Sequence, residues 1–204
     1  MWLNYLAIDT CGKNLTVVIK KGEKIYKHFD DECGVSHSVD LMPVIEKLAT
    51  KAEFDFSTAD FFACVVGAGS FTGIRIGIST IKAMCFVYKK PCLAITSFDT
   101  LAYNIKGGKT LALIDAKHDG FYACGYNDGQ VDLQPCYIMK DQVKRLLKEY
   151  KGVSNTDIKG LRVKKVSVLD GLILAIENKE QNISDNPEDL IALYVRKSQA
   201  EEGR

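Results

Sequence analysis

The 204-residue chain contains no apolar run near the roughly 20 residues that a membrane-spanning helix requires, which excludes a helical membrane protein. Its opening, MWLNYLAIDTCG, has no basic leader and no long apolar stretch, so it does not read as a secretory signal. Charge of one sign is lacking too: 27 basic side chains face 26 acidic ones, for a formal net charge of +1. Such a balance gives no overall pull toward nucleic acid, and an RNA contact would require a local basic patch or a partner. No CxxC pair occurs, and the seven cysteines (Cys11, Cys33, Cys64, Cys85, Cys92, Cys124, Cys136) are odd in number and mostly sit in apolar runs such as FFACVV. Reduced thiols acting as small hydrophobes account for them better than disulfides or zinc, and the expected compartment is the cytoplasm. There is no repeat at fixed period and no low-complexity segment.

What is present is an alternating α/β pattern. YLAID (5–9) reads as a buried strand, and LTVVIKKGEKIYKHF (15–29) as two strands turning at KKGEK. From Ser36 the period changes: Val39, Leu41, Met42, Ile45, Leu48, Ala49 and Ala52 recur at helical spacing, with Ser36 or Ser38 as N-cap. FFACVV (61–66) is a strand covered on both faces, PCLAIT (91–96) another, and SFDTLAYNI (97–105) a short helix capped by Ser97. Beyond KGGK (106–109), TLALIDA and FYACGYN pair across KHDG, and QVDLQPCYIM forms one or two more strands. KDQVKRLLKEY (140–150) is an amphipathic helix, residues 163–179 pass from strand into helix, and LIALYVRK near the end suits either strand or helix.

The stretch VVGAGSFTGIRIGIST (65–80) stands out. Glycines between a strand and a helix often cradle phosphate, but GxxxxGK[ST] would need a lysine where Ile74–Arg75 stands, and GxGxxG a glycine at Thr72. In the helix that follows, Ile74, Ile78, Ile81, Cys85 and Tyr88 form one apolar stripe, while Ile76, Ala83 and Val87 make a second. Gly73 and Gly77 cost about 1 kcal/mol each inside a helix, which suggests close approach of another backbone. Arg75 in the first turn opposes the helix dipole and calls for a carboxylate or an anion.

LAIDT, HS followed by LMPVIEKL, GAGSFTGIRIGISTIKAM, TSFDTLA, IDAKHDGFYACGY and ALYVRKSQAEE occur in this order along nearly the whole chain. Together they resemble the TsaB (YeaZ) family of tRNA threonylcarbamoyladenosine biosynthesis. Ala68 stands where the family has proline and Cys11 where serine is common, and the stretch after residue 126 matches loosely. The resemblance implies the actin/Hsp70/sugar-kinase fold, two related α/β lobes with mixed sheets, the second reduced. The expected lobes are 1–105, carrying the glycine loop and interface helices, and 106–204, whose last helix packs back on the first lobe.

It also implies a non-catalytic scaffold or activating subunit, with no catalytic residue and no metal in this chain. Its partner would be TsaD, which transfers threonylcarbamoyl to N6 of the adenosine beside the anticodon in tRNAs reading ANN codons. TsaE would join the larger complex, with tRNA engaged indirectly, a homodimer formed in isolation, and no membrane contact. ATP and magnesium would belong to the partner complex, whose HxxxH metal pair has no counterpart among His28, His37 and His118. The implied interface lies on two helices, with His37, Ser38, Met42, Ile45, Gly73, Ile74, Arg75, Gly77, Ile78 and Ile81. Asp9, Thr10, Gly67, Gly69, Ser70, Thr72 and Arg75 are the candidates for an anion or nucleotide, and Asp115 the relic of a second phosphate turn. Lys144, Arg145, Lys148, Arg162, Lys164 and Lys165 would serve as a tRNA patch or as a solvated face, and Glu201 and Glu202 as a frayed tail or a contact. The alternative is a free-standing small-molecule kinase or ATPase of the same superfamily. A peptidase is disfavoured because no nucleophile–base–orienter set is visible.

Overall fold

The computed structural model describes residues 3–33 and 36–196. They divide into two units, the first running to Ile95 and resuming over Ile176–Leu193, the second spanning Thr96–Ala175 and continuing from Tyr194. In the first unit β1 (Tyr5–Asp9), β2 (Leu15–Lys21) and β3 (Lys24–Asp30) form an antiparallel meander, followed by α1 (His37–Ala52), β4 (Phe61–Val65), α2 (Phe71–Tyr88) and β5 (Cys92–Ile95). The strand order is β3-β2-β1-β4-β5, with β4 and β5 parallel to β1. β4 is apolar throughout, and β1 as far as its last residue, Asp9, because both faces of these central strands are buried. Leu41, Ile45 and Leu48 of α1 and Ile81 and Cys85 of α2 join Leu6, Ile8, Val17 and Cys64 in one core on one face of the sheet.

The second unit repeats this wiring. β6 (Lys109–Asp115), β7 (Gly120–Asn127) and β8 (Gln130–Met139) make the meander, α4 (Lys140–Leu146) follows, and β9 (Lys151–Ser154) and β10 (Val163–Lys165) add in parallel, for the order β10-β9-β6-β7-β8. The reduction is visible in the crossovers: α4 has 7 residues where α1 has 16. Irregular chain joins β9 to β10 where the 18-residue α2 joins β4 to β5. α5 (Val168–Lys179) begins in the second unit and ends in the first.

Several local expectations need correction. The sequence divides the chain after residue 105, whereas α3 (Ser97–Ala102) packs on β6, and the division falls after Ile95. Thr96, not Ser97, caps α3, because its hydroxyl takes the Asp99 N–H while the Asp99 carboxylate takes the Thr96 N–H. Ser36 does occupy the N-cap of α1, but its hydroxyl donates to the Cys33 carbonyl instead of accepting from the helix. The helix predicted through Tyr150 ends at Leu146, and KGVS becomes β9, where Gly152 leaves room for Leu147 and Val163. LIALYVRK is neither strand nor helix as far as Arg196, although the Leu193 N–H donates to the Val66 carbonyl at 2.7 Å. Glu201 and Glu202 lie outside the described residues.

Candidate functional site

The glycine loop meets the turn after β1, and their hydrogen bonds show what each is for. Asp9 is buried, and its Oδ1 accepts from the Cys11 N–H at 2.8 Å. Thr10 donates from Oγ1 to the Gly73 carbonyl at 2.7 Å, and the Cys11 thiol donates to the Val65 carbonyl at 3.1 Å. In return the Ser70 N–H donates to the Cys11 carbonyl at 2.7 Å, and the Ser70 hydroxyl caps α2 by accepting from the Gly73 N–H at 3.2 Å. Three N–H groups that an anion would seek here (Cys11, Ser70, Gly73) are thus committed within the chain.

Gly73 and Gly77 lie on the inner side of α2. A Cβ on Gly73 would collide with the Thr10 carbonyl oxygen, and one on Gly77 would stand 2.7 Å from Thr10 Oγ1 and 3.1 Å from Cys64 Sγ. The backbone that approaches Gly73 is the chain's own turn, and what crowds Gly77 are side chains of the same unit. This corrects the interface expected from sequence: Gly73, Ile74, Gly77, Ile81 and Ile45 are buried in the first unit's interior. His37 is buried as well, with Nε2 at 3.1 Å from the Asn14 carbonyl oxygen.

The remaining expected interface residues are accessible. Ser38 and Arg75 are exposed, Ile78 is half-buried, and Met42 is 54 % exposed. The Arg75 guanidinium lies 3.8 Å from the centre of the Phe71 ring, one turn back on the same helix. Of the anion candidates, Asp9, Thr10 and Gly67 are buried, whereas Gly69, Ser70 and Thr72 reach solvent. Asp115 ends β6 as Asp9 ends β1, and its Oδ1 likewise accepts the N–H two residues on, from Lys117 at 2.8 Å. Among the described residues no group of three or more His, Cys, Asp or Glu side chains is arranged to hold a metal.

Three exposed apolar residues were not singled out as site residues. Val39 on α1 is 71 % exposed, and Phe86 and Val87 at the end of α2 are 77 % and 67 % exposed. The apolar stripe through Ile76, Ala83 and Val87 is the signal that points to Val87, since an interior helix face leaves no side chain at such exposure. Met42 and Pro43 also line, with Phe54 and Phe56, a groove of about 770 Å³ beside the end of α1.

Burial raises the Asp9 pKa, against the opposing pull of the Cys11 N–H and of His37. A carboxyl whose folded pKa is raised contributes stability below its unfolded pKa and loses it as pH climbs through the folded value. Asp9→Asn keeps an acceptor for the Cys11 N–H without the buried charge. The variant should therefore melt above the wild type at about pH 8, with the advantage vanishing toward about pH 4. An advantage that does not change across a series of melts would overturn this.

The family model for tRNA N6-adenosine threonylcarbamoyltransferase, TsaD, matches residues 31–192. The tRNA threonylcarbamoyladenosine biosynthesis protein TsaB of Buchnera aphidicola is 31 % identical over 116 residues, covering 55 % of this chain and 55 % of that protein. TsaB of Escherichia coli is 28 % identical over 128 residues, covering 61 % and 55 %. The chain thus spans about half the length of the curated relatives it matches. A Pseudomonas aeruginosa crystal structure, described as an uncharacterized protein with similarity to peptidase YeaZ, superposes with a TM-score of 0.78 at 22 % identity, over 95 % of this chain and 100 % of that one. The two mixed sheets with their repeated wiring are the two lobes of the actin/Hsp70/sugar-kinase fold. Matched over most of its length by the TsaD model, and sharing sequence with TsaB proteins and fold with YeaZ, the chain belongs to the TsaB (YeaZ) family.

Proposed function

We propose that the chain is a non-catalytic scaffold subunit in tRNA threonylcarbamoyladenosine biosynthesis. It docks a larger TsaD-type transferase through the outer faces of α1 and α2, with TsaE joining the larger assembly. The transferase, with its own ATP and magnesium, moves threonylcarbamoyl to N6 of the adenosine beside the anticodon in tRNAs reading ANN codons. The observation that carries this reading is the exposure of Val39, Met42, Phe86 and Val87 on those two helices, a cost in water that a partner would offset. The internal commitment of the Cys11, Ser70 and Gly73 N–H groups speaks in the same direction. The test is reconstitution: the transferase with tRNA, ATP and threonylcarbamoyl-adenylate should turn over with this chain present and fall sharply without it. Full activity of the transferase alone would sink the proposal.

The docking face yields a mutational prediction. Met42→Glu with Phe86→Asp should weaken partner association by a factor of about 30 or more, because each puts a charge where apolar contact is expected. Both positions are exposed, so the variant's own stability should stay within about 1 kcal/mol of wild type. Co-sedimentation together with a melting curve separates these effects, and intact association in the double variant would place the interface elsewhere.

The matching turns at Asp9 and Asp115 favour a second reading, a free-standing kinase or ATPase. Calorimetry of the isolated chain with ATP and magnesium decides it: micromolar binding with turnover supports the enzyme, and no heat supports the scaffold.

A further inference from the structure

The near-neutral total conceals an uneven distribution. In the first unit 12 cations meet 15 carboxylates, whereas Thr96–Ala175 carries 12 cations and 9 carboxylates. The excess in the second unit is concentrated in residues 144–165, with eight cations against two carboxylates, and all eight cations are exposed.

The fold gathers this segment at one edge of a sheet. β10 is the outermost strand and β9 its only neighbour in the strand order. Their register sets Val163 beside Gly152 and Lys164 beside Val153, so one step back Arg162 comes beside Lys151. The turn after α4 reaches the same corner: a Cβ on Gly152 would stand 2.6 Å from Leu147 Cδ2 and 3.1 Å from Val163 Cγ2. Lys148 follows that leucine directly. The Lys144 and Lys140 ammonium groups are engaged with Asp141 and Asp119. Arg145, Lys148, Lys151, Lys159, Arg162, Lys164 and Lys165 have no ion pair among the described residues.

A lysine or two on an edge strand needs no ligand, since charge there discourages pairing with another sheet edge. That accounts for Lys164 and Lys165. It does not account for Lys148 and Lys151, which lie off the edge strand, nor for Arg162 set beside Lys151. Like charges on neighbouring strands destabilise the pair unless an anion lies between them. Seven unpaired cations spread over a helix end, a turn, two strands and a loop suit an extended polyanion better than one small anion.

We propose that the β9–β10 edge of the second unit, with Lys148, Lys151, Arg162 and Lys164 at its centre, binds the phosphate backbone of folded RNA. The choice of RNA rests on the tRNA-modification reading above; the cationic edge itself does not. Contacts of this kind carry no sequence preference and are strongly salt-dependent.

The test uses the full chain alone, without transferase or nucleotide, and follows the anisotropy of a fluorescently labelled tRNA transcript across a salt series. A Lys151→Glu, Arg162→Glu, Lys164→Glu triple variant should bind about tenfold or more weaker near 0.1 M salt. The slope of log affinity against log salt should flatten by about 2, as three lost phosphate contacts require. The same triple change to Gln should give a smaller loss with the same flattening, and melting curves confirm that each variant is folded. Lys47→Glu with Lys51→Glu, on exposed α1 positions of the first unit, should leave affinity unchanged. The proposal is overturned if wild type fails to bind tRNA, if the triple variant keeps wild-type affinity and slope, or if the first-unit control loses as much. It is likewise overturned if phosphatidylglycerol vesicles, and not tRNA, bind in a manner sensitive to the triple change. Transfer assays that still require this chain while tRNA binding proves insensitive would sink the RNA edge and leave the scaffold reading standing.

Discussion

Gly73→Ala is expected to lower the melting temperature of the isolated chain by about 10 °C or more, a loss of at least about 3 kcal/mol. The added methyl would occupy the space of the Thr10 carbonyl oxygen. That carbonyl belongs to the turn that ends β1, the central strand of the first sheet, and Thr10 is itself tied by its hydroxyl to the Gly73 carbonyl. Neither side can yield cheaply: α2 is held on one side by the Ser70 cap, and the turn on the other by the Asp9–Cys11 bond. Gly77→Leu should be comparably damaging, since it would drive a branched side chain between Thr10 and Cys64. Thr72→Ala, one residue before Gly73 and exposed, should stay within about 0.5 kcal/mol of wild type. If the glycines served a partner helix instead, Gly73→Ala would melt like wild type and lose only partner binding. That result would overturn the assignment.

The same glycines show how far sequence reasoning reaches at this site. A close backbone is what the sequence implies at both, and it holds at Gly73 alone, since side chains crowd Gly77; nothing local says whose backbone it is. The answer depends on the long-range register that brings Thr10 under α2, a contact between residues 63 positions apart. His37 shows the same blindness, since its place at the start of α1 is legible while its bond to Asn14 is not. The strands of both meanders are plain in the sequence because their alternation and turn residues are local. β9 is not, because KGVS is short, carries a glycine, and becomes a strand only by pairing with β6 and β10. The duplication of the sheet wiring leaves no sequence repeat because topology constrains where apolar residues fall, not which ones they are. Overall charge misleads in the other direction: a sum near zero is compatible with two units of opposite excess.

Asp99→Ala is expected to cost about 2–4 kcal/mol and to do so without touching either proposed interaction surface. Asp99 is 1 % exposed, and its carboxylate is tied to both Thr96 and Tyr126. Oδ2 takes the Thr96 N–H and the Thr96 hydroxyl, each at 2.7 Å, and Oδ1 takes the Tyr126 hydroxyl at 2.9 Å. The carboxylate therefore closes the cap of α3 and ties that helix to β7. Burial, reinforced by the Asp99 charge, pushes the Tyr126 phenol far up, so it remains a donor at any working pH. Removing the carboxylate costs about 1 kcal/mol for the cap and leaves the Tyr126 hydroxyl buried without this acceptor, about 1–3 kcal/mol more. A double-mutant cycle separates the two contributions. Tyr126→Phe alone should cost about 1 kcal/mol, since it deletes one donor and leaves the two Thr96 bonds to Asp99 in place. On the Asp99→Ala background the same change should be neutral or stabilising, because it removes the orphaned hydroxyl. Denaturant midpoints for the four proteins supply the comparison. Independent, additive costs for the two changes would mean that the bond contributes nothing as a pair, and an Asp99→Ala loss below about 1 kcal/mol would remove the lock altogether.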